Sequence, residues 1–235
     1  MRDARTTPSS LRKSYSTFMN SAAQWLNRNG YAISRSPRIV VEQHEGSALI
    51  GLSEALHFRE WPYRAGSKKR IDILATVQET VSLQDRVCTM ATTRVNYFRM
   101  DGRNAIPTEM LHYDFVAPPT RMHPICHAQS AGTLLSRSEW PDTFSRNRTV
   151  DERGLGERGQ NVRIPSAFVN LPGLIMILAS DHMQEDHWMD FSEFCLPHFE
   201  GFSCMTGSAE MKSLIGSNGL CVWAWYEIQP HPKAE

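Results

Sequence analysis

The amino-acid sequence predicts an α+β protein in which an N-terminal helix precedes an antiparallel sheet and C-terminal helices pack on that sheet. Three observations carry this prediction. Apolar residues recur at helical spacing before residue 30, short β-rich segments separated by turn residues fill positions 38–117, and a long apolar segment with a helix-capping residue begins at residue 170. We expect residues 1–235 to form a single α+β domain.

Residues 9–29 form the predicted first helix. Serines at its start can cap the helix, and Gly30 can end it. Apolar side chains recur every three or four positions, at Leu11, Tyr15, Phe18, Ala22 and Leu26. This spacing predicts an amphipathic helix with one face on the core.

After Pro37 the pattern changes to strands. The runs rich in β-branched and aromatic residues are 38–43, 48–52, 55–60, 70–77, 92–100 and 108–117. The Asp101-Gly102 pair is a turn signal, so the last two runs are predicted to form a hairpin. A further short strand is expected at 123–131.

The remainder of the chain alternates polar and apolar segments. The polar stretch 132–161 is long enough that we expect it to include a mobile loop. Asn170 can cap a buried helix at 170–183, and the segments 187–199 and 208–216 are predicted to be further helices. Alternation at 221–228 predicts a last strand.

The charges are balanced overall but separated along the chain. The 25 Lys and Arg residues equal the 25 Asp and Glu residues, yet residues 1–70 carry 12 basic and 5 acidic side chains, and residues 165–235 carry 2 and 9. Zero net charge excludes attraction of the whole surface to a polyanion. Local contact of the basic part with RNA or another nucleic acid, and docking of a protein partner on the acidic part, both stay open.

The sequence indicates a cytoplasmic protein without a membrane partner. The N-terminal residues lack the apolar segment of a secretory signal, and no apolar run approaches the about 20 residues needed to cross a bilayer. Five cysteines are an odd number, which favours reduced thiols over a disulfide framework.

One segment collects the residue types that carry acid–base chemistry. It contains His112, Tyr113, Asp114, His123, Cys126, His127 and Gln129. Strand alternation predicts that His112 and Asp114 share one face and that Tyr113 lies on the other. Histidine exchanges protons near neutral pH, and a carboxylate beside it fixes its tautomer.

Three interpretations of this segment stay open. Paired histidines with a carboxylate and a phenol suit attack of a ribose 2′-hydroxyl on phosphate. They also suit a metal site with three ligands, or surface histidines with ordinary hydrogen bonds. Downstream, Arg163 can pair with Asp114 or bind the charge of the scissile phosphate.

The runs LHYDF, HPICH and NVRIPSAFVNLPGLIMILASDHM resemble a bacterial protein family of unknown function, whose pattern is a Tyr-Asp strand, an HP-x-x-H turn, an R-I-P segment and a closing helix. The match covers residues 108–183 best. The resemblance points to Tyr113, Asp114, His123, Pro124, His127, Arg163, Ile164 and Pro165. More distantly, the order of motifs is similar to TumE-type toxins of toxin–antitoxin pairs, which carry a denser histidine cluster at the turn.

The resulting hypothesis is a metal-independent endoribonuclease, the effector of a bacterial defence or toxin–antitoxin system. His123 and His127 would be base and acid, Asp114 would orient one of them, and the site would need neither a cofactor nor a metal. Tyr113 would donate to the phosphate, and Arg163 would bind its charge. The alternative is a non-catalytic subunit of a defence or mobile-element complex that binds nucleic acid or a protein such as an antitoxin.

Other motifs are weaker or missing. Cys195, His198 and Cys204 resemble part of a zinc site, whereas Cys221 opens an apolar strand and is better explained as a buried residue. The sequence contains no P-loop, no dinucleotide fingerprint, no G-x-S-x-G elbow and no H-E-x-x-H. P-loop hydrolases, α/β-hydrolases and zincins are therefore disfavoured.

Overall fold

A computed structural model describes residues 7–34, 37–84, 87–116, 126–130, 134–146, 148–151, 163–165 and 169–200. The helices are α1 (Pro8–Arg28), α2 (Asp142–Ser145), α3 (Leu171–His182) and α4 (Glu185–Glu200), with a 3-10 helix at Arg137–Glu139. The strands are β1 (Ile39–His44), β2 (Ser47–Leu52), β3 (Leu56–Pro62), β4 (Arg70–Ser82), β5 (Val87–Asp101), β6 (Asn104–Val116), β7 (Cys126–Ser130), β8 (Thr149–Val150) and β9 (Arg163–Pro165). The predicted α+β class, with a helix, a sheet and then helices, is confirmed.

All nine described strands belong to one sheet. Its main path runs β1-β2-β4-β5-β6-β7-β9, while β3 also pairs with β4 and β8 pairs with β6. Every pair is antiparallel except β6 with β8. The long strands β4, β5 and β6 form the centre, so residues on them are held on both sides.

One face of the sheet is covered by helices. Thr7 caps α1 in a reciprocal capping box with Ser10, and the predicted apolar stripe of this helix is buried. Asn170 caps α3 as predicted, because its side-chain oxygen accepts the N–H of Gly173 at 2.9 Å. Side chains of α1, α3 and α4 join those of the sheet in the main core cluster. None of the described helices has both the length and the apolarity needed to cross a membrane.

The opposite face carries a second, smaller core cluster. Leu74 and Phe98 of the sheet pack there against Leu135 and Phe144. The latter two come from the polar stretch 132–161, whose described residues therefore contain folded elements: the 3-10 helix, α2 and β8. Residues 132–133, 147 and 152–161 of that stretch lie outside the described residues.

Several strands extend beyond their predicted bounds. Polar residues such as Gln78 and Glu79 continue β4 to Ser82, because pairing with both β2 and β5 holds them in the sheet. The strand expected at 123–131 begins only at Cys126 among the described residues. The helix expected at 208–216 and the strand expected at 221–228 lie outside the described residues.

Candidate functional site

The strand register lines up two rows of polar residues across the centre of the sheet. The Asp114 row consists of Gln78, Thr92, Asp114 and His127, which are paired in that order on β4, β5, β6 and β7. The His112 row consists of Thr76, Arg94, His112, Gln129 and Arg163, which are paired in that order from β4 to β9. Directly opposed residues on neighbouring strands share a face, so each row crosses the sheet on one side.

Asp114 and His112 are in contact, as the predicted alternation requires. His112 Nε2 lies 3.0 Å from Asp114 Oδ1, and the two side chains are 24% and 18% exposed. His112 Nε2 forms no hydrogen bond with any described residue. Its contact with Asp114 is therefore electrostatic, and it becomes an ion pair when the imidazole is protonated. Thr92 Oγ1 donates a hydrogen bond to the same carboxylate oxygen at 3.0 Å.

Gln129 sets the tautomer of His112. Its side-chain Nε2 lies 3.2 Å from His112 Nδ1. An amide nitrogen only donates, so Nδ1 accepts, and the proton of the neutral imidazole resides on Nε2, facing Asp114. Gln129 thus engages Nδ1, while Nε2 faces Asp114 without a hydrogen bond, a placement that suits a residue that positions Asp114.

A cleft of about 220 Å³ adjoins the two rows. Thr76, Gln78, Thr92 and Arg94 line it from the sheet, and Glu139 lines it from the 3-10 helix. Arg94 forms an ion pair with Glu139, and the two side chains are 41% and 28% exposed. Burial alone raises the pKa of Glu139, but hydrogen bonds from Ser136 and the charge of Arg94 outweigh burial and hold that pKa below its usual value.

Tyr113 is not brought to this cluster. It lies between His112 and Asp114 in the strand, so it projects to the opposite face, where it packs against the main core cluster. Burial, with smaller contributions from the charges of Asp181 and Glu109, raises its pKa to about 12. The structure therefore does not bring Tyr113 together with Asp114, and its role as a donor to phosphate stays a prediction.

Of the other predicted site residues, His127 and Arg163 are located by the strand pairing of their backbones. His127 is the ladder partner of Asp114, and Arg163 is the ladder partner of Gln129. His123 lies outside the described residues. The register therefore places His127 directly opposite Asp114, and Arg163 two strands away from His112, beyond Gln129.

Sequence reasoning missed Thr92, Arg94 and Glu139, and assigned no role to Gln129. Each acts through a partner on another strand or on the 3-10 helix. No spacing along the chain signals such contacts, because register between distant strands is set by the fold.

The cysteine and histidine motif on α4 does not offer a thiolate. Cys195 is fully buried in the main core cluster, and burial raises its pKa to about 12. His198 packs its ring against Phe18 and Phe194. Cys204 lies outside the described residues, and no group of three or more His, Cys, Asp or Glu side chains in the described part is arranged to hold a metal ion.

Comparisons of the chain with protein-family models, with curated proteins and with solved structures find no match. The case for a function therefore rests on the residues of the two rows and the cleft. The resemblance to the bacterial family stays a prediction.

Proposed function

We propose that this chain cleaves RNA by metal-independent attack of a ribose 2′-hydroxyl on the neighbouring phosphodiester. The observation that supports the proposal is the contact between His112 of one row and Asp114 of the other, beside a cleft that contains Arg94. A carboxylate held by an imidazole and a hydroxyl is the usual orienting group for a proton-transferring histidine.

The proposed reaction needs a base, an acid and a cation. The base takes the proton of the 2′-hydroxyl, the 2′-oxygen bonds to phosphorus, and the bond from phosphorus to the 5′-oxygen breaks. The acid protonates the departing 5′-oxygen. The products are a 2′,3′-cyclic phosphate and a 5′-hydroxyl, and no water is consumed.

We assign these roles by position in the rows, except that of His123, which rests on the sequence motif alone. His127 transfers protons, oriented by its ladder partner Asp114, and His123 is the second proton-transferring group. Arg94 and Arg163 lie in the His112 row, where their guanidinium groups bind the phosphate charge. His112 is a positioning residue, because Gln129 engages its Nδ1 and its Nε2 faces Asp114 at 3.0 Å. We place this activity in a defence or toxin–antitoxin system.

The test is cleavage of a labelled single-stranded RNA by the purified chain in excess chelator. We expect a 2′,3′-cyclic phosphate end on the upstream product, and no cleavage of the same sequence carrying 2′-O-methyl groups. The double variant His123→Ala, His127→Ala should lose at least about a hundredfold in rate, the usual contribution of acid–base groups.

The matched control is His44→Ala, because His44 is an exposed histidine on β1 outside both rows. Its cleavage rate should equal that of the wild type. A folded double variant that retains the full rate, or cleavage of the 2′-O-methyl strand, overturns the proposal. Binding without cleavage by the wild type would favour the non-catalytic alternative.

A further inference from the structure

Two turns far apart in sequence meet at one end of the sheet. The turn between β3 and β4 and the turn between β5 and β6 both lie there, because Pro62 pairs with Arg70 and Ile71 pairs with Arg99. We call residues 63–70 and 99–103 the basic end. It carries six cations and a single carboxylate, that of Asp101, for a net charge of +5.

The six cations of the basic end are exposed. They are Arg64, Lys68, Lys69, Arg70, Arg99 and Arg103. None forms an ion pair with another described residue, whereas Arg94, Arg146 and Arg148 each contact a carboxylate. Asp101 offsets only part of their mutual repulsion, and an anionic ligand would relieve the rest.

The turn between β3 and β4 presents its cations on an ordered backbone. The N–H of Tyr63 donates to the carbonyl of Lys69 at 2.9 Å, and the N–H of Ser67 donates to the carbonyl of Arg64 at 2.9 Å. Gly66 has φ 73°, the left-handed conformation that this tight turn requires. A preordered turn loses less conformational entropy when it binds a ligand.

Tyr63 adds an aromatic surface to the basic end. Its side chain is 50% exposed, although most large apolar side chains of the described part are buried. Exposed aromatic rings beside cations bind single-stranded nucleic acids, because a base stacks on the ring while the cations contact the phosphates. Membrane-surface segments instead present several apolar side chains, and Tyr63 is the one large exposed apolar residue of this end.

We infer that the basic end binds the backbone of a single-stranded nucleic acid, with Tyr63 stacking on a base. Arg99 lies five residues along β5 from Arg94 of the cleft, which corresponds to about 17 Å. Arg99 is paired with Ile71, whose side chain lies in the main core cluster, so Arg99 projects to the face opposite Arg94 and the basic end is a binding surface separate from the cleft. The inference stands on the charge and exposure of the basic end, whether or not the two rows cleave RNA.

The test measures fluorescence anisotropy of a 12-nucleotide 2′-O-methyl RNA, which the proposed reaction cannot cleave. The full chain is compared with the triple variant Arg64→Gln, Lys68→Gln, Lys69→Gln. The triple variant should bind at least about tenfold more weakly at low salt. The slope of log affinity against log salt should fall by about 2, since each lost contact to a single strand contributes about 0.7.

The matched control removes three exposed cations of α1, with Arg12→Gln, Lys13→Gln and Arg28→Gln. It changes the net charge equally and should bind within about twofold of the wild type. Tyr63→Ala should bind about fivefold or more weakly with an unchanged salt slope, and Tyr63→Phe should restore binding.

Equal loss in the two triple variants would mean that only net charge matters and would overturn the inference. Binding of the wild type to vesicles rich in phosphatidylserine, without binding to the oligonucleotide, overturns it as well. Competition with unlabelled DNA and RNA of the same sequence distinguishes the two nucleic acids; preference for either one supports the inference.

Discussion

Glu79 is a buried carboxyl group between two helices and the sheet. Its side chain is 1% exposed, accepts the hydroxyl of Tyr15 at Oε2, and accepts the N–H of Leu171 at Oε1 at 3.0 Å. Burial raises its pKa to about 7, although the two hydrogen bonds oppose that rise. The group thus links α1, β4 and the first turn of α3 in a contact that titrates near neutral pH.

Glu79→Gln should therefore change how stability depends on pH. A carboxyl group whose pKa is raised from 4.5 to about 7 on folding stabilises the fold fully below pH 4.5, and this contribution is lost as pH rises through 7. Glutamine mimics the protonated form, so the stability of the variant relative to wild type should rise by up to about 3 kcal/mol between these limits.

Urea unfolding of both proteins between pH 4.5 and 8 measures this difference. Parallel stability curves for the two proteins would show that Glu79 does not titrate in this range. Tyr15→Phe is the companion variant. It removes a hydrogen bond that lowers the pKa of Glu79, so it should shift the midpoint of the effect to higher pH.

Asp72 on β4 connects this strand with β3, with the segment around Arg148 and, through His57, with α2. Its Oδ1 accepts the N–H of Glu60 in the bulge of β3 at 2.9 Å, and its Oδ2 lies 3.2 Å from His57 Nε2 and 3.4 Å from Arg148 Nε. His57 Nδ1 in turn lies 3.2 Å from Thr143 Oγ1 on α2. Burial raises the pKa of Asp72, but these partners outweigh burial and lower it.

Glu60 has φ 55°, a strained value for a residue with a side chain, and its hydrogen bond to Asp72 stabilises the bulge.

Asp72→Asn should lower the free energy of unfolding by about 3 kcal/mol at pH 7, because it removes the carboxylate beside the buried imidazole of His57. A lowered carboxyl pKa stabilises the fold above pH 3.8, and this contribution is lost as pH falls through the folded value. The deficit of the variant should therefore shrink in acid.

Denaturant unfolding at pH 7 and pH 3 checks this expectation. Asp142→Asn is the control, because Asp142 pairs with Arg146 on the surface, where both side chains are at least 70% exposed. Exposed pairs contribute little, so this variant should be as stable as the wild type. An equal loss in both variants would contradict a special role of the buried pair.

For the whole molecule, the polar face of the sheet depends on the segment 134–151. Phe144 anchors this segment by packing its ring against His57, Phe98 and Trp140. The same segment supplies Glu139, the partner of Arg94 in the cleft. The order of the cleft is therefore coupled to the smaller core cluster.

Phe144→Ala should loosen this segment selectively. A large cavity in the smaller core cluster removes its packing, while α1, α3 and α4 still cover the other face. Hydrogen exchange should speed up at residues 134–151 and stay unchanged in β1 and β2. Phe191→Ala, in the main core cluster, should instead speed up exchange throughout the sheet; a uniform response to Phe144→Ala would contradict the coupling.

The helices and the central strands could be predicted from the sequence because their signals are local. Leu11, Tyr15 and Phe18 recur at helical spacing, and Asn170 stands where a helix cap is needed. Leu135 and Phe144 gave no such signal, since isolated apolar residues in a polar stretch have no period. Their burial depends on a tertiary contact that only the folded chain contains.

The candidate site, like the fold, could be predicted only where its signal is local in the sequence. Period-two alternation put His112 and Asp114 on one face, and the structure brings them to 3.0 Å. The same alternation set Tyr113 apart, although its phenol suggested a role beside them. Arg94 and Thr92 could not be found, because a one-residue shift in the pairing of β5 with β6 would have placed other side chains opposite.

The His112 row draws Thr76, Arg94, His112, Gln129 and Arg163 from five strands spread over some 90 positions of the chain. No fragment that ends before β9 contains the whole row. A nascent chain emerging from the ribosome therefore stays without it until residue 163 has left the exit tunnel and paired, and any chemistry of the row begins only after synthesis of that part is complete.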